Sequence, residues 1–143
     1  MVDEIRDLKP RIISDLKEKG LNILDIGGTF DLYVDMGKGK GYFIELKVAS
    51  TNYKAWADKS GVKGLNLTSQ TLAIRSMKNL PIIFACDEDD MNTCYLILPE
   101  ELKRFANERK EHEAILIGVK HLKRKSYNAA LNELAAYLNN GLF

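Results

Sequence analysis

The stretch Phe30–Ser50, FDLYVDMGKGKGYFIELKVAS, decides how this chain is read. Its middle, Gly37-Lys38-Gly39-Lys40-Gly41, is too rich in glycine for the interior of an element and reads as the connection of a hairpin. Before it, Thr29 to Met36 alternates: Phe30, Leu32 and Val34 fall on one face, and Asp31, Tyr33 and Asp35 on the other, the period of a half-buried strand. After it, Tyr42 to Ala49 reads YFIELKVA, an apolar strand interrupted only by Glu45 and Lys47. Those two charges stand two positions apart and therefore share a face. Asp31 precedes Glu45 by 45 minus 31, or 14, positions, a span that the glycine turn closes easily.

Outward from the hairpin, the N-terminal side is simple. From Val2 to Lys19 the apolar residues Ile5, Leu8, Ile12, Ile13 and Leu16 recur at three and four, the stripe of an amphipathic helix that Gly20 stops. Pro10 either kinks this helix or marks its start. Leu21 to Ile26 is a short strand, with Gly27 and Gly28 as the turn after it. On the other side, Ser50 to Asn66 has no period and carries Lys54, Lys59 and Lys63 with Tyr53 and Trp56, opposed only by Asp58; so long a connection is functional or mobile. Thr68 then caps a helix to about Asn79, Pro81 to Cys86 is a buried strand, and Asp87 to Asp90 is a solvated acidic turn. Thr93 to Leu98 is a strand, Pro99 opens a helix to about Lys110, Ala114 to Val119 is the last strand, and Ser126 to Asn140 is a closing helix. This order predicts an α/β fold, a three-layer sandwich with a central mixed β-sheet flanked by helices.

Composition sets the outer limits. The chain has 143 residues, with 21 Lys plus Arg against 20 Asp plus Glu and a net charge of +1, which predicts a single domain spanning 1–143. Fractions of 45% hydrophobic and 29% charged residues argue against disorder, collagen-like repeats and coiled coil. No apolar run approaches 18 residues and MVDEIRDLKP has no apolar core of a secretion signal, so the expectation is an intracellular, cytoplasmic protein with no membrane contact. Cys86 and Cys94 form no CxxC pair and read as buried thiols. His112 and His121 lack any metal-ligand spacing, and the GKGKG turn is no phosphate fingerprint because it joins two strands. With the charges balanced overall, a nucleic-acid partner has to be argued from a site.

The site is suggested by what breaks the apolar pattern. Two carboxylates meeting on adjacent strands raise each other's pKa unless a cation compensates them. Mg²⁺ is the natural compensator, since it takes one or two carboxylates, and the carbonyl of Leu46 would add a further oxygen. Asp31, Glu45 and Leu46 are thus the candidate metal ligands, with Lys47 beside them to orient water or stabilise an anionic transition state, a set suited to cutting a phosphodiester. Gln70 lies in the first turn of the following helix. A cross-strand ion pair between Glu45 and Lys47 is the plainer alternative.

Taken together, FDLYVDMGKGKGYFIELKVAS and LNLTSQTLAIRSMKNLPIIFACD (Leu65–Asp87) resemble the core of the PD-(D/E)xK nuclease superfamily, whose restriction endonuclease-like fold is shared by restriction enzymes, archaeal Holliday junction resolvases and the VRR-NUC group. The resemblance runs from about Leu21 to Asp87. It implies that Asp31 and Glu45 hold the metal, that Lys47 is the catalytic lysine, that Gln70 is the glutamine on the helix after the ExK strand, and that an acid of the first helix, Glu4 ahead of Asp7, joins them. Phe30 stands where the motif has proline, and the 70 minus 47, or 23, positions from Lys47 to Gln70 exceed the spacing of a compact VRR-NUC domain.

The implied activity is that of a Mg²⁺-dependent endonuclease acting on DNA, with Mn²⁺ able to substitute. A structure-selective enzyme of Holliday junction resolvase type, serving DNA recombination as a homodimer, is the leading expectation. A restriction-type or VRR-NUC-like nuclease, or a non-catalytic nucleic-acid-binding protein on the same fold, is the alternative. Phosphate contacts are expected from Lys38 and Lys40 in the hairpin, from Lys54, Lys59 and Lys63 with the stackable Tyr53 and Trp56, and from Lys123, Arg124 and Lys125 in the basic run that begins at Lys120. Leu131, Leu134, Ala135 and Leu138 share a helical face, for the core first and a dimer contact second.

Overall fold

A computed structural model of the chain describes residues 4–50, 63–108 and 113–140, with side chains from residue 8 onward. Helix α1 (Glu4–Glu18) buries Leu8, Ile12 and Leu16 completely, as their spacing requires. Pro10 lies inside α1 on its exposed side, so the helix passes through it and does not begin there. Gly20, at φ 84°, turns the chain out of the helix in a conformation costly to other residues.

Strands β1 (Asn22–Asp25), β2 (Leu32–Gly37) and β3 (Lys40–Ala49) follow as an antiparallel meander. At the tip between β2 and β3, Gly37 and Gly39 flank Lys38, which itself takes φ 57°. The chain then passes through β4 (Gly64–Asn66), a 3₁₀ turn (Thr68–Gln70) and α2 (Thr71–Ser76) before β5 (Ile82–Asp87) runs parallel to β3. Strand β6 (Asp90–Ile97) returns antiparallel to β5 and leads into α3 (Pro99–Asn107). Strand β7 (Leu116–Gly118) pairs with β4, β8 (Lys125–Ser126) pairs with β6, and α4 (Tyr127–Asn139) closes the described chain. The main sheet has six strands in the order β1-β2-β3-β5-β6-β8, mixed in direction; β4 and β7 form a separate two-stranded sheet.

Strand alternation divides the core in two. One cluster gathers Leu32, Val34, Tyr42, Ile44, Leu46, Phe84 and Leu96 beneath the apolar stripes of α1 and of α4, where Leu131, Leu134, Ala135 and Leu138 are all buried. The other gathers Ala49, Ile83, Ala85, Tyr95 and Ile97 with Ile74 of α2, Leu102 and Phe105 of α3, and Leu65 and Ile117 of the small sheet. The result is the three-layer α/β sandwich expected of the element order. Each fully buried aliphatic side chain in it contributes about 1.5–3 kcal/mol relative to exposure.

Several local expectations change. Phe30 packs in the second cluster, away from Leu32 and Val34, because Phe30 and Asp31 lie in a bend before β2 and do not share its pleat. Thr68 caps nothing: the Asn66 side chain accepts from the Thr68 amide at 2.8 Å and from its hydroxyl, and this local turn directs the chain into 3₁₀ geometry. The α2 helix ends at Ser76, short of Asn79. Strand β7 belongs to the small sheet and is not the last strand of the main one. Ser126 does cap its helix, accepting from the Ala129 amide at 3.1 Å. Cys86 and Cys94 are buried, outside any disulfide, and paired in register on β5 and β6. Among the described residues, no helix is long and apolar enough to cross a membrane.

Candidate active site

Gly27 and Gly28, at φ 64° and 90°, reverse the chain after β1, and the Ile26 amide closes the reversal by donating to the Asp31 carbonyl at 3.3 Å. Asp31 then stands one residue before the last β2–β3 pair, Leu32 with Ile44, so the register carries it opposite Glu45. The two acids hold each other's strands. The Asp31 amide donates to Glu45 Oε1 at 3.1 Å, and the Leu46 amide donates to Asp31 Oδ2 at 2.9 Å. Because the amide and carbonyl of an extended residue emerge at the same edge of its strand, the Leu46 carbonyl is presented toward the Asp31 side as well.

Glu45 is only 5% exposed. Its pKa is pushed from 4.5 up to about 8, first by burial and next by the negative charge of Asp31, against the opposing pull of Lys47. The Lys47 ammonium lies 3.4 Å from Glu45 Oε2, close enough to attract but too few charges to offset both carboxylates. This donor set fits a hard divalent cation, which takes one or two carboxylates and keeps several waters. Among the described residues no group of three or more His, Cys, Asp and Glu side chains comes together, so the protein donors on view are Asp31, Glu45 and the Leu46 carbonyl. The side chains of Glu4 and Asp7 lie outside the described residues; the part of α1 that is described packs on the opposite face of the sheet.

Gln70 comes close to this group from α2's 3₁₀ entry. It is 6% exposed, and its Nε2 donates to the Thr29 carbonyl at 3.3 Å, tying the segment that leads into Asp31. Its Oε1 is buried and accepts no hydrogen bond from the protein. An acceptor left in that state costs about 1–3 kcal/mol unless something donates to it.

The basic residues divide. Lys38 and Lys40 are exposed in the hairpin, and Lys123 and Arg124 are exposed between β7 and β8. Lys63 is committed elsewhere: its ammonium bridges Asp87 Oδ1 at 2.6 Å and Asp89 Oδ2 at 2.5 Å. Partial burial opposes that charge, but the two carboxylates outweigh it and hold the ammonium above its usual range. The acidic turn is therefore not solvated throughout, since Asp87 is buried and also accepts from the Asp89 amide at 2.8 Å. Lys125 is likewise engaged, with Glu133. Lys63, Asp87, Tyr95, Lys120 and Arg124 line an open cleft of about 380 Å³. Lys54, Lys59, Tyr53, Trp56 and His112 lie outside the described residues.

The sequence reading passed over the aromatic neighbours of the acids. Phe43 lies in register with Tyr33, and the Phe30, Phe43 and Tyr33 rings follow one another with centroids 5.3 Å and 5.1 Å apart. The signal was present: Phe43 alternates onto the face of Glu45, two residues away.

No family model matches the chain, and no curated protein does. Among solved structures, the chain is similar to a bacterial homing endonuclease, I-Ssp6803I, at 15% sequence identity and a TM-score of 0.43, over 78% of this chain and 73% of that one.

Proposed function

We propose that the chain is a metal-dependent nuclease that hydrolyses DNA phosphodiester bonds, with Asp31, Glu45 and Lys47 as the reacting constellation. One observation carries the reading: the half-buried Asp31 meets the buried Glu45 with an ammonium 3.4 Å from the latter, and burial with repulsion from Asp31 raises the Glu45 pKa to about 8. A protein kept only for stability gains little from such a pair, because replacing buried charges with hydrocarbon is often neutral or stabilising.

Asp31 and Glu45, with the Leu46 carbonyl, would hold Mg²⁺ or, in its place, Mn²⁺. A bound divalent ion supplies a more acidic water and charge neutralisation at phosphorus. The chain's own residues do the rest. Asp31 fixes β3 against the entry to β2 through the Leu46 amide, so the donors keep their spacing without the ion. Lys47 places positive charge where the pentacovalent phosphorane accumulates negative charge. Gln70 anchors Thr29 and so holds the segment that leads into Asp31.

The finer assignment to the PD-(D/E)xK superfamily, and within it to structure-selective enzymes of Holliday junction resolvase type acting as homodimers, is supported by the resemblance of Phe30–Ser50 and Leu65–Asp87. The test is incubation with linear duplex, single-stranded and four-way-junction DNA, in Mg²⁺ and in EDTA, beside the Glu45→Ala and Lys47→Ala variants. Cutting in Mg²⁺ that both substitutions abolish is the expected result. Cutting that survives Glu45→Ala moves the site elsewhere, binding without cutting in every condition points to a non-catalytic nucleic-acid-binding protein, and equal cutting of all three DNAs removes the junction preference.

A further inference from the structure

On the face of the sheet that carries Asp31 and Glu45, the next row along the strands is apolar and aromatic. Leu24 pairs with Tyr33 and Tyr33 with Phe43, so the three stand side by side across β1, β2 and β3, roughly 7 Å from the row of the two acids. Leu24 is 44% exposed, and Tyr33 and Phe43 are both partly exposed. Tyr33 also leans across β3 onto Gly41: a Cβ at that position would lie 2.3 Å from the ring and 2.3 Å from the Val34 carbonyl oxygen. The ring therefore has a seat that only glycine leaves open. Beyond Gly41 lies the hairpin tip, where Lys38 is exposed between Gly37 and Gly39.

Resting on the nuclease reading above, we propose that Leu24, Tyr33 and Phe43 form a stacking platform for unpaired bases of the strand whose phosphodiester enters the Asp31–Glu45 site. The order along the face is carboxylates, then rings, with the exposed Lys38 at the hairpin tip beyond them. That order complements a nucleic-acid single strand, which offers a phosphate to the metal site, π-faces to the rings and a further phosphate to Lys38 at the hairpin tip. A duplex does not satisfy it, because its base faces are hidden within the stack. The platform thus selects unpaired nucleotides beside the cut, as at a branch, flap or end, by their exposed faces and without reading base edges.

The test is binding measured by fluorescence anisotropy in EDTA, where nothing is cut, with a labelled oligothymidylate and a duplex of equal length. The intact chain is expected to hold the single strand more tightly. Tyr33→Leu and Phe43→Leu, which keep apolar volume and remove a ring, should each weaken single-strand binding by about tenfold and leave duplex binding unchanged. Tyr33→Phe should bind as the intact chain does, and thermal melts establish that each variant is folded. Unchanged single-strand affinity in the folded leucine variants, no preference of the intact chain for the single strand, or a dimer that Tyr33→Leu converts to monomer with affinity intact would each overturn the platform, the last by assigning the face to a second copy. Cleavage in Mg²⁺ is read separately: ring-dependent binding without cutting would refute the nuclease and keep the platform, whereas cutting with ring-independent binding would do the reverse.

Discussion

The two faces of β3 are built from alternate residues of one strand and obey different rules. Tyr42, Ile44 and Leu46 point into a hydrocarbon layer under α1 and α4, where a polar contact is made between elements by the Tyr127 hydroxyl donating to Asp15 Oδ2 at 2.6 Å, with the Arg11 guanidinium 3.6 Å from the ring centroid. Phe43, Glu45 and Lys47 point the other way, toward Asp31, Ala85 and Tyr95. Among the described residues no buried side-chain polar atom of the first face lacks a partner, whereas the second buries a carboxylate beside a like charge and leaves Gln70 Oε1 without a donor. The contrast teaches where to look for chemistry in a fold of this kind: at positions where the local choice opposes stability.

Substitutions at neighbouring positions should separate the two faces. Glu45→Ala is expected to lower Mg²⁺-dependent cutting by about a thousandfold or more, the scale of several kcal/mol of lost transition-state stabilisation, while the thermal midpoint holds or rises. Ile44→Ala, one residue away, should do the opposite: a loss of about 2–5 kcal/mol in denaturant unfolding, with the cutting rate per folded molecule unchanged. A Glu45→Ala variant that unfolds would erase the distinction.

Proton linkage sharpens it. The folded chain keeps on Glu45 a proton that the unfolded chain has released between about pH 4.5 and pH 8, so folding without metal should weaken as pH rises through that window and level off above it. A divalent cation needs the ionised form, so the rise in thermal midpoint on adding Mg²⁺ should grow over the same window. Melts of the metal-free chain that strengthen from pH 5 to pH 8 would contradict the environment assigned to Glu45, and Glu45→Gln should flatten the profile. The smallest effect belongs to the opposite face: Tyr127→Phe removes the donor to Asp15 and should cost about 1–2 kcal/mol with no change in cutting.

Legibility followed the range of the interactions. Alternation in Tyr42–Ala49 and the glycine turn carry the hairpin and put Glu45 and Lys47 on one face with Asp31 within reach, because strand period and a short turn are local properties. The three-residue β4 and two-residue β8 were invisible, since segments that short show no period and exist through their partners. Asp87 read as solvent-facing because its counter-ion, Lys63, lies 24 positions earlier and reaches it only through the folded chain. Phe30 went to the wrong layer for a local reason: alternation assumes extended backbone, and the bend at Phe30 and Asp31 breaks it. That same bend lets Asp31 reach the Leu46 amide.

The contact between Asp31 and the Leu46 amide also provides a clock. It spans 15 positions within one hairpin, whereas the parallel partner of β3 arrives only after the whole crossover to β5. Closing a short loop is the faster event, so pulse-labelled hydrogen exchange should find the Leu46 amide shielded before those of β5. A single backbone proton would then report assembly of the acidic pair in the absence of metal, substrate or turnover.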